Sequence, residues 1–280
     1  MLMKKKFIPG SEWLYVKIYT GVKTADIILE EALLPLLQQL KEEGLIKKWF
    51  FIRYNDPKIH LRLRFELSDL KHFGKVLSLL NDYLEEYRDS GEISEFIIDI
   101  YQREIERYGE ATMEEAEFLF WKSSESIVYE YLHFDDEEKI MVSLYYIDKI
   151  LECLGLPIQK KLSWITERNL AFKQEFNADK KLNHQLDKKY RVFIINYLEF
   201  VESEEYSPFR NVILNNINES GETLKHIKYH SDALQSFFSS VFHMHINRIF
   251  VSNQRLFEMI IYDYLFRYYK TLVFKSNGTI

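Results

Sequence analysis

What most constrains this chain is a change of hydrophobic period near Ala111. Before that point strand-like and helix-like segments alternate; after it only the helical period remains. Residues 11–19 have the β-branched and aromatic content of a strand. Residues 25–43 carry Ile27, Leu29, Leu33, Leu36, Leu37 and Leu40 at helical spacing, and Gly44 is a natural stop. Residues 49–54 and 59–65 read as two strands around the turn chemistry of Asn55-Asp56-Pro57-Lys58. Residues 69–88 read as an amphipathic helix and 95–101 as a fourth strand. The order β-α-β-β-α-β predicts a split βαβ, ferredoxin-like sheet. Helical segments follow at 113–131, 137–154, 160–176, 186–202, 233–250 and 254–272. Asp135, Gly155-Leu156-Pro157, Ser207-Pro208 and Ser231-Asp232 punctuate them. The expected fold class is α+β, with a sheet subdomain over 1–110 and a helical subdomain over 111–280. The two are expected to pack as one unit, because no Ser- or Gly-rich linker separates them.

Composition removes several function classes. Of the 280 residues, 47% are hydrophobic, enough for a sizeable core and too many for a disordered chain. Nine glycines and five prolines exclude collagen-like and low-complexity architectures. The lone Cys153 cannot form an internal disulfide or a cysteine-rich zinc module, and in ILECLGL it reads as core. A formal net charge of −6 argues against nonspecific attraction to nucleic acid or anionic lipid. The start, MLMKKKFIPGSEW, has a basic cluster without the apolar run of a signal peptide. No apolar run of about 18 residues predicts a membrane span, so a cytoplasmic protein is expected.

The densest chemistry lies in the hairpin WFFIRYNDPKIHLRLRF. Alternation puts His60, Arg62 and Arg64 on one strand face. A four-residue turn pairing Tyr54 with Ile59 would set Arg53 opposite His60, Phe51 opposite Arg62 and Trp49 opposite Arg64. Three guanidiniums and an imidazole would then share a face with two aromatics. Planar guanidiniums bind carboxylates and phosphates through a fork, so this face reads as an anion site. The alternative is a solvated face on which Glu66 and helix carboxylates answer the arginines. A second cluster is 101–109, YQREIERYG, where Arg103 and Arg107 have Glu104 and Glu106 as available partners. A third is HMHINR at 243–248, where His243 and Asn247 share a helix face and His243 can exchange a proton near neutral pH. A buried, hydrogen-bonded helix histidine is its alternative. His226 and His230 are four apart but lack the glutamate of H-E-x-x-H and a third ligand. Dinucleotide, P-loop and nucleophile-elbow glycine motifs are absent. No metal or organic cofactor is expected.

Taken together the motifs resemble the C-terminal, glutamate-elimination domain of class I lanthipeptide dehydratases, also called the thiopeptide-type bacteriocin biosynthesis domain. They are W-x-Y-x-K-x-Y (Trp13, Tyr15, Lys17, Tyr19), F-x-R-Y-x-D-P-x-x-H-x-R-x-R-F (Phe51 to Phe65), Y-x-R-E-x-x-R-Y-G (Tyr101 to Gly109) and H-M-x-x-N-R (His243 to Arg248). The resemblance implies an enzyme that removes the Cα proton and expels glutamate from glutamylated Ser and Thr of a ribosomal precursor peptide. Dehydroalanine or dehydrobutyrine is left behind. It implies a separate tRNA-dependent glutamylating partner protein, and it leaves homodimerisation open. By matching motifs, Arg62, Arg64, Arg103 and His243 stand at the family's catalytic positions. Phe51, Arg53, His60, Asn247 and Arg248 are expected at the substrate. The chain departs from the family where R-Y-G-G becomes Arg107-Tyr108-Gly109-Glu110, and where Ile249-Phe250-Val251 follows Arg248 without a glycine. A related branch joins two dehydroalanines in a formal [4+2] cycloaddition to a pyridine, which is the alternative reaction. From another class, an RNA-recognition module would also place arginines and aromatics on such a sheet, and a non-catalytic peptide-binding scaffold would have the same groove. No direct nucleic-acid binding is expected, since the K/R-G-F-G-F run is missing and the chain is acidic.

Overall fold

The computed structural model describes residues 3–277. They form an α+β fold with strands in the N-terminal part and helices alone after it. The six strands are β1 (Lys6–Phe7), β2 (Trp13–Thr20), β3 (Ile46–Asn55), β4 (Ile59–Leu67), β5 (Ile93–Asp99) and β6 (Tyr101–Gln102). Four of them make an antiparallel sheet in the order β3-β4-β2-β5, and β1 pairs with β6 in a separate two-stranded ribbon. The segment expected as one strand over 95–101 is thus two: β5 ends at Asp99, and Tyr101 leaves the sheet to pair with Phe7.

The chain falls into two compact units. The first runs up to His133 and takes in Tyr229–Ser252; the second comprises Phe134–Lys228 and the chain from Asn253 onward. The expected division at 110/111 therefore falls elsewhere. The helices Met113–Ser126 and Leu234–Ile249 belong with the sheet, because side chains of both complete its β3 edge, as described below.

In the first unit, one sheet face is apolar and covered. Leu14, Val16 and Ile18 of β2, and Leu61, Leu63 and Phe65 of β4, are buried beneath the helical stretch 22–42 and the helix Phe73–Tyr83. The 22–42 stretch runs through Pro35, which has no N–H to donate and whose ring crowds the preceding turn. The backbone widens to a π-helical turn at Ile28–Leu33 just ahead of it. The expected helix 69–88 is interrupted: Asp69 caps a short 3₁₀ turn, Phe73–Tyr83 follows, and the chain breaks at Leu84 before Glu85–Asp89. In the second unit, Asp135 and Glu138 form the reciprocal N-terminal cap of the helix Asp136–Cys153. Two helices with weak sequence signals, Ser207–Glu219 and Gly221–His230, were not expected. Cys153 is exposed at a helix end and not in the core.

Candidate functional site

The hairpin register decides which residues share a face. β3 continues to Asn55, so three residues close the turn, not four. Tyr54 pairs with His60, Ile52 with Arg62 and Phe50 with Arg64. A one-residue shift moves every side chain of a strand to the other face. Arg53 and Phe51 therefore lie on the helix-covered face, away from His60, Arg62 and Arg64. This corrects their expected place at the substrate. Buried Arg53 donates through Nε to the Arg248 carbonyl at 2.8 Å and through Nη2 to Asp26 at 2.5 Å. Phe51 is fully buried.

β3 is an edge strand, and an edge strand turns alternate N–H and C=O groups outward. Here side chains answer all four such groups of Phe51 and Arg53. Ser124 Oγ accepts from Phe51 N–H at 3.3 Å and Arg248 Nε donates to the Phe51 carbonyl at 2.7 Å. Asn247 Oδ1 accepts from Arg53 N–H and its Nδ2 donates to the Arg53 carbonyl, both at 2.9 Å. Asn247 thus acts on the scaffold, with one donor and one acceptor of its amide engaged there.

The opposite sheet face carries Arg62, Arg64 and His60. Across it run Phe50, Ile52 and Tyr54, then Arg64, Arg62 and His60, then Tyr15, Lys17 and Tyr19. Arg64 is 9% exposed, and its Nε and Nη1 are buried without a hydrogen-bond partner. Its guanidinium carbon lies 4.4 Å from the centre of the Tyr15 ring, 5.1 Å from Tyr101 and 5.2 Å from Phe50. Burial, opposed by the neighbouring tyrosines, pulls its pKa down, yet an arginine keeps its proton. Ring faces stabilise a cation only in part, by about 0.5–2 kcal/mol per contact. A buried guanidinium without a carboxylate partner has the chemistry to bind an anion.

Arg64 opens into a small cleft. Phe50, Tyr101, Glu104, Tyr108, Met244 and Arg248 are among its walls. The β1–β6 ribbon fixes Tyr101 there, its ring 5.1 Å from Trp13 and stacked on Phe7 at 5.8 Å. Gly109 ends the following helical turn, Ile105–Tyr108, at a φ of +79°, which favours glycine. Burial holds the Tyr108 hydroxyl protonated, far above its ordinary range. Arg248, fully buried, reaches the cleft from the helix Leu234–Ile249 while its Nε stays on Phe51.

The remaining candidates sit as follows. Arg62 is half-buried on Arg64's sheet face. Its Nε donates to His60 Nε2 at 3.0 Å, and its guanidinium lies 3.4 Å above the Tyr54 ring. His60 is 1% exposed, with Nδ1 at 2.8 Å from the Lys58 carbonyl and its ring stacked on Tyr19. The Lys58 carbonyl demands Nδ1–H and the Arg62 donor demands a bare Nε2, which together define the neutral tautomer. Burial first, then the charge of Arg62, lowers its pKa. His60 is therefore a support for Arg62, not a substrate contact.

Arg103 is held fork to fork by Glu117, Nε to Oε1 and Nη2 to Oε2, both at 2.8 Å. Glu117 is fully buried and also accepts from Tyr101 Oη at 2.7 Å. Arg103 thus reaches the cleft through Glu117 and Tyr101 and is not part of its wall. His243 is half-buried one turn before Asn247. Its neighbour Met244 lines the cleft; His243 and Arg62 do not. Of the residues expected at the catalytic positions, Arg64 alone lines this cleft.

Tyr15, Tyr101 and Phe50 all lie in strand segments of the sequence, but only the observed register and the β1–β6 ribbon bring them together around Arg64. An uncharged ring gives no sequence signal of a site. An RNA-recognition sheet needs exposed rings on which bases stack, whereas Tyr15 and Tyr19 are buried. Among the described residues no group of three or more His, Cys, Asp or Glu side chains is placed to hold a metal, and no helix is long and apolar enough to cross a membrane.

Fold and site define a class: an α+β domain whose sheet face closes over a buried, unpaired arginine. Residues 13–269 match the family described as lantibiotic biosynthesis dehydratase C-term, and the chain belongs to that family. It is 26% identical over 98% of its length to the subtilin biosynthesis protein SpaB of Bacillus subtilis, spanning 27% of that protein. It is 29% identical over 92% of its length to the nisin biosynthesis protein NisB of Lactococcus lactis subsp. lactis, spanning 25% of it. The chain therefore spans about a quarter of these curated relatives. Among solved structures, the tRNA-dependent lantibiotic dehydratase MibB from Microbispora sp. 107891 superposes with a TM-score of 0.71 at 17% identity, over 95% of this chain and 29% of that one. The pyridine synthase TbtD from thiomuracin biosynthesis superposes with a TM-score of 0.64 at 10% identity, over 93% of this chain and 100% of that one.

Proposed function

We propose that this protein eliminates glutamate from glutamylated Ser and Thr residues of a precursor peptide, leaving dehydroalanine or dehydrobutyrine. Family membership supports a role in lantibiotic dehydration. The observation that carries the finer reading is Arg64, whose buried guanidinium has no carboxylate partner in the chain and faces a cleft.

In the reaction a base takes the Cα proton. The electrons of the Cα–H bond form the Cα=Cβ bond, the Cβ–O bond breaks, and glutamate departs as a carboxylate. Arg64 binds that carboxylate as its charge develops, where a preorganised donor acts most strongly. Arg62, steadied by His60 and Tyr54, stabilises the enolate that proton removal creates. His243 is the base, reaching the substrate from beside Met244. Arg103 positions Tyr101 through Glu117, and Arg248 binds the peptide from the far wall. The sheet order is the one a split βαβ generates, which supports a ferredoxin-like reading of this half. The glutamylating step belongs to a separate partner.

The test is mass spectrometry of a glutamylated precursor peptide incubated with the protein. Each turnover removes one glutamate and leaves one dehydro residue. The similarity to a pyridine synthase of the same extent supports cycloaddition as the second reading. It is favoured instead if the ester peptide is untouched while a bis-dehydroalanine peptide becomes a pyridine.

A further inference from the structure

The two edges of the sheet are treated differently. Side chains answer the outward backbone groups of β3, as described above. At the other edge, the register of β5 on β2 pairs Tyr15 with Asp99, Lys17 with Ile97 and Tyr19 with Glu95. Carried across the sheet from β3, the alternation turns the N–H and C=O of Phe96 and Ile98 away from β2. Among the described residues nothing is hydrogen-bonded to them. Phe96 and Ile97 are exposed large hydrophobic residues on this open strand. Beside it lies a pocket lined by Ile93, Phe96, Leu84, Asn81 and Arg88.

We propose that the outer edge of β5 docks an extended peptide, which adds as a further strand and sets an apolar side chain in the pocket between Ile93, Phe96 and Leu84. Open backbone donors and acceptors in strand register accept another strand, and a pocket beside the edge selects its side chains. Three features favour a substrate segment as the occupant. A strand added to β5 continues the sheet that carries Arg62 and Arg64, so alternate side chains of the peptide fall on their face. The pocket has room for one large apolar side chain. The edge is left open here, whereas β3 is closed by four side-chain hydrogen bonds. This rests on the reading that the substrate is a peptide.

Geometry sets the spacing. The added strand lies three strand spacings from β4, about 14 Å at ~4.8 Å each. An extended chain covers that in about four or five residues at ~3.3 Å each. The docked segment therefore lies at least that far along the peptide from the residue that reacts.

The probe is a fluorescein-labelled peptide of about ten alternating Leu and Thr residues with a lysine at each end, bearing no ester. Fluorescence anisotropy should show it binding the wild type, and Phe96→Pro should weaken that binding at least about tenfold, since proline removes the outward N–H. Phe96→Lys, which keeps the backbone and charges the pocket, should weaken it as well. On the unaltered protein, hydrogen exchange should slow at the Phe96 and Ile98 amides when the peptide is added. The amides of Phe51 and Arg53, already bonded, should be slow with or without it. Binding that leaves Phe96 and Ile98 exchange unchanged, or that both variants retain, overturns the proposal. So does a wild type that sediments as a dimer and a Phe96→Lys variant that sediments as a monomer, because the edge would then belong to a second copy. None of these readouts needs turnover. A protein that docks the peptide but never releases glutamate contradicts the proposed reaction and leaves the docking edge standing.

Discussion

Asn247 holds Arg53 by both of its backbone groups, accepting from the N–H and donating to the carbonyl at 2.9 Å each, across 194 residues of chain. A side-chain amide has the donor–acceptor spacing of a backbone peptide, so it can stand in for a missing strand. The neighbouring Arg248 extends the same splice to the Phe51 carbonyl. Together they fix the helix Leu234–Ile249, with His243 and Met244, along the edge of the sheet that bears Arg62 and Arg64.

Asn247→Ala removes both bonds and leaves two backbone groups of β3 unanswered. Loss of about 1–3 kcal/mol of stability is expected in urea unfolding. Asn247→Asp should be no better, since its carboxylate cannot donate to the Arg53 carbonyl. A variant as stable as the wild type would contradict the splice.

Arg64→Met should behave in the opposite way. It removes a buried charge without a partner and fills the cage with a chain of similar length. Stability should be unchanged or higher by about 1–3 kcal/mol, read from the same urea midpoint. Marked destabilisation would mean that Arg64 has a structural task the geometry does not show.

Arg103→Ala leaves Glu117 fully buried beside Tyr101 without its principal cation. A cost of about 3–5 kcal/mol is expected for breaking a buried pair from one side. The double variant Arg103→Met with Glu117→Met should recover much of it. Alanine at 103 is thus a probe of folding before it is a probe of chemistry.

Acid should weaken the fold through two histidines. Burial, reinforced by Arg248, lowers the His245 pKa to about 3, and His245 lies 2.9 Å from the Ser123 hydroxyl. The pKa of His60 is also lowered, by burial first. Below an unfolded value of about 6.5 the unfolded chain binds protons that the folded one refuses. The histidine contribution to stability is therefore intact above that pH and is lost as pH falls toward 3. The thermal midpoint should drop over this window, and His60→Gln with His245→Gln should flatten the drop.

The sequence made the α+β class legible, along with the main strands and the charged hairpin, because hydrophobic period and turn residues are local signals. It did not reveal the register. Whether Asn55 ends a strand or begins a turn is not a local signal, since asparagine suits a turn as well, and in the structure it pairs with Ile59. The single shift moved Phe51 and Arg53 to the covered face. The β1–β6 ribbon was missed because two-residue strands carry no period. Glu117 was missed as the partner of Arg103 because a glutamate in a polar-looking helix pattern reads as solvated. The cage around Arg64 was legible only in part: alternation in β2 puts Tyr15 on one face with Lys17 and Tyr19, but Phe50 comes beside Arg64 only in the observed register.

The central claim is that the unpaired guanidinium of Arg64 takes up the departing carboxylate. The direct measurement is the single-turnover rate of glutamate release from a glutamylated precursor peptide, for the wild type, Arg64→Lys and Arg64→Met. The account predicts a fall of about 10²–10³ for Arg64→Met, with ester accumulating in the mass spectrum. Arg64→Lys should be only partly restored, because an ammonium lacks the planar fork. Release by Arg64→Met at the wild-type rate would contradict the account.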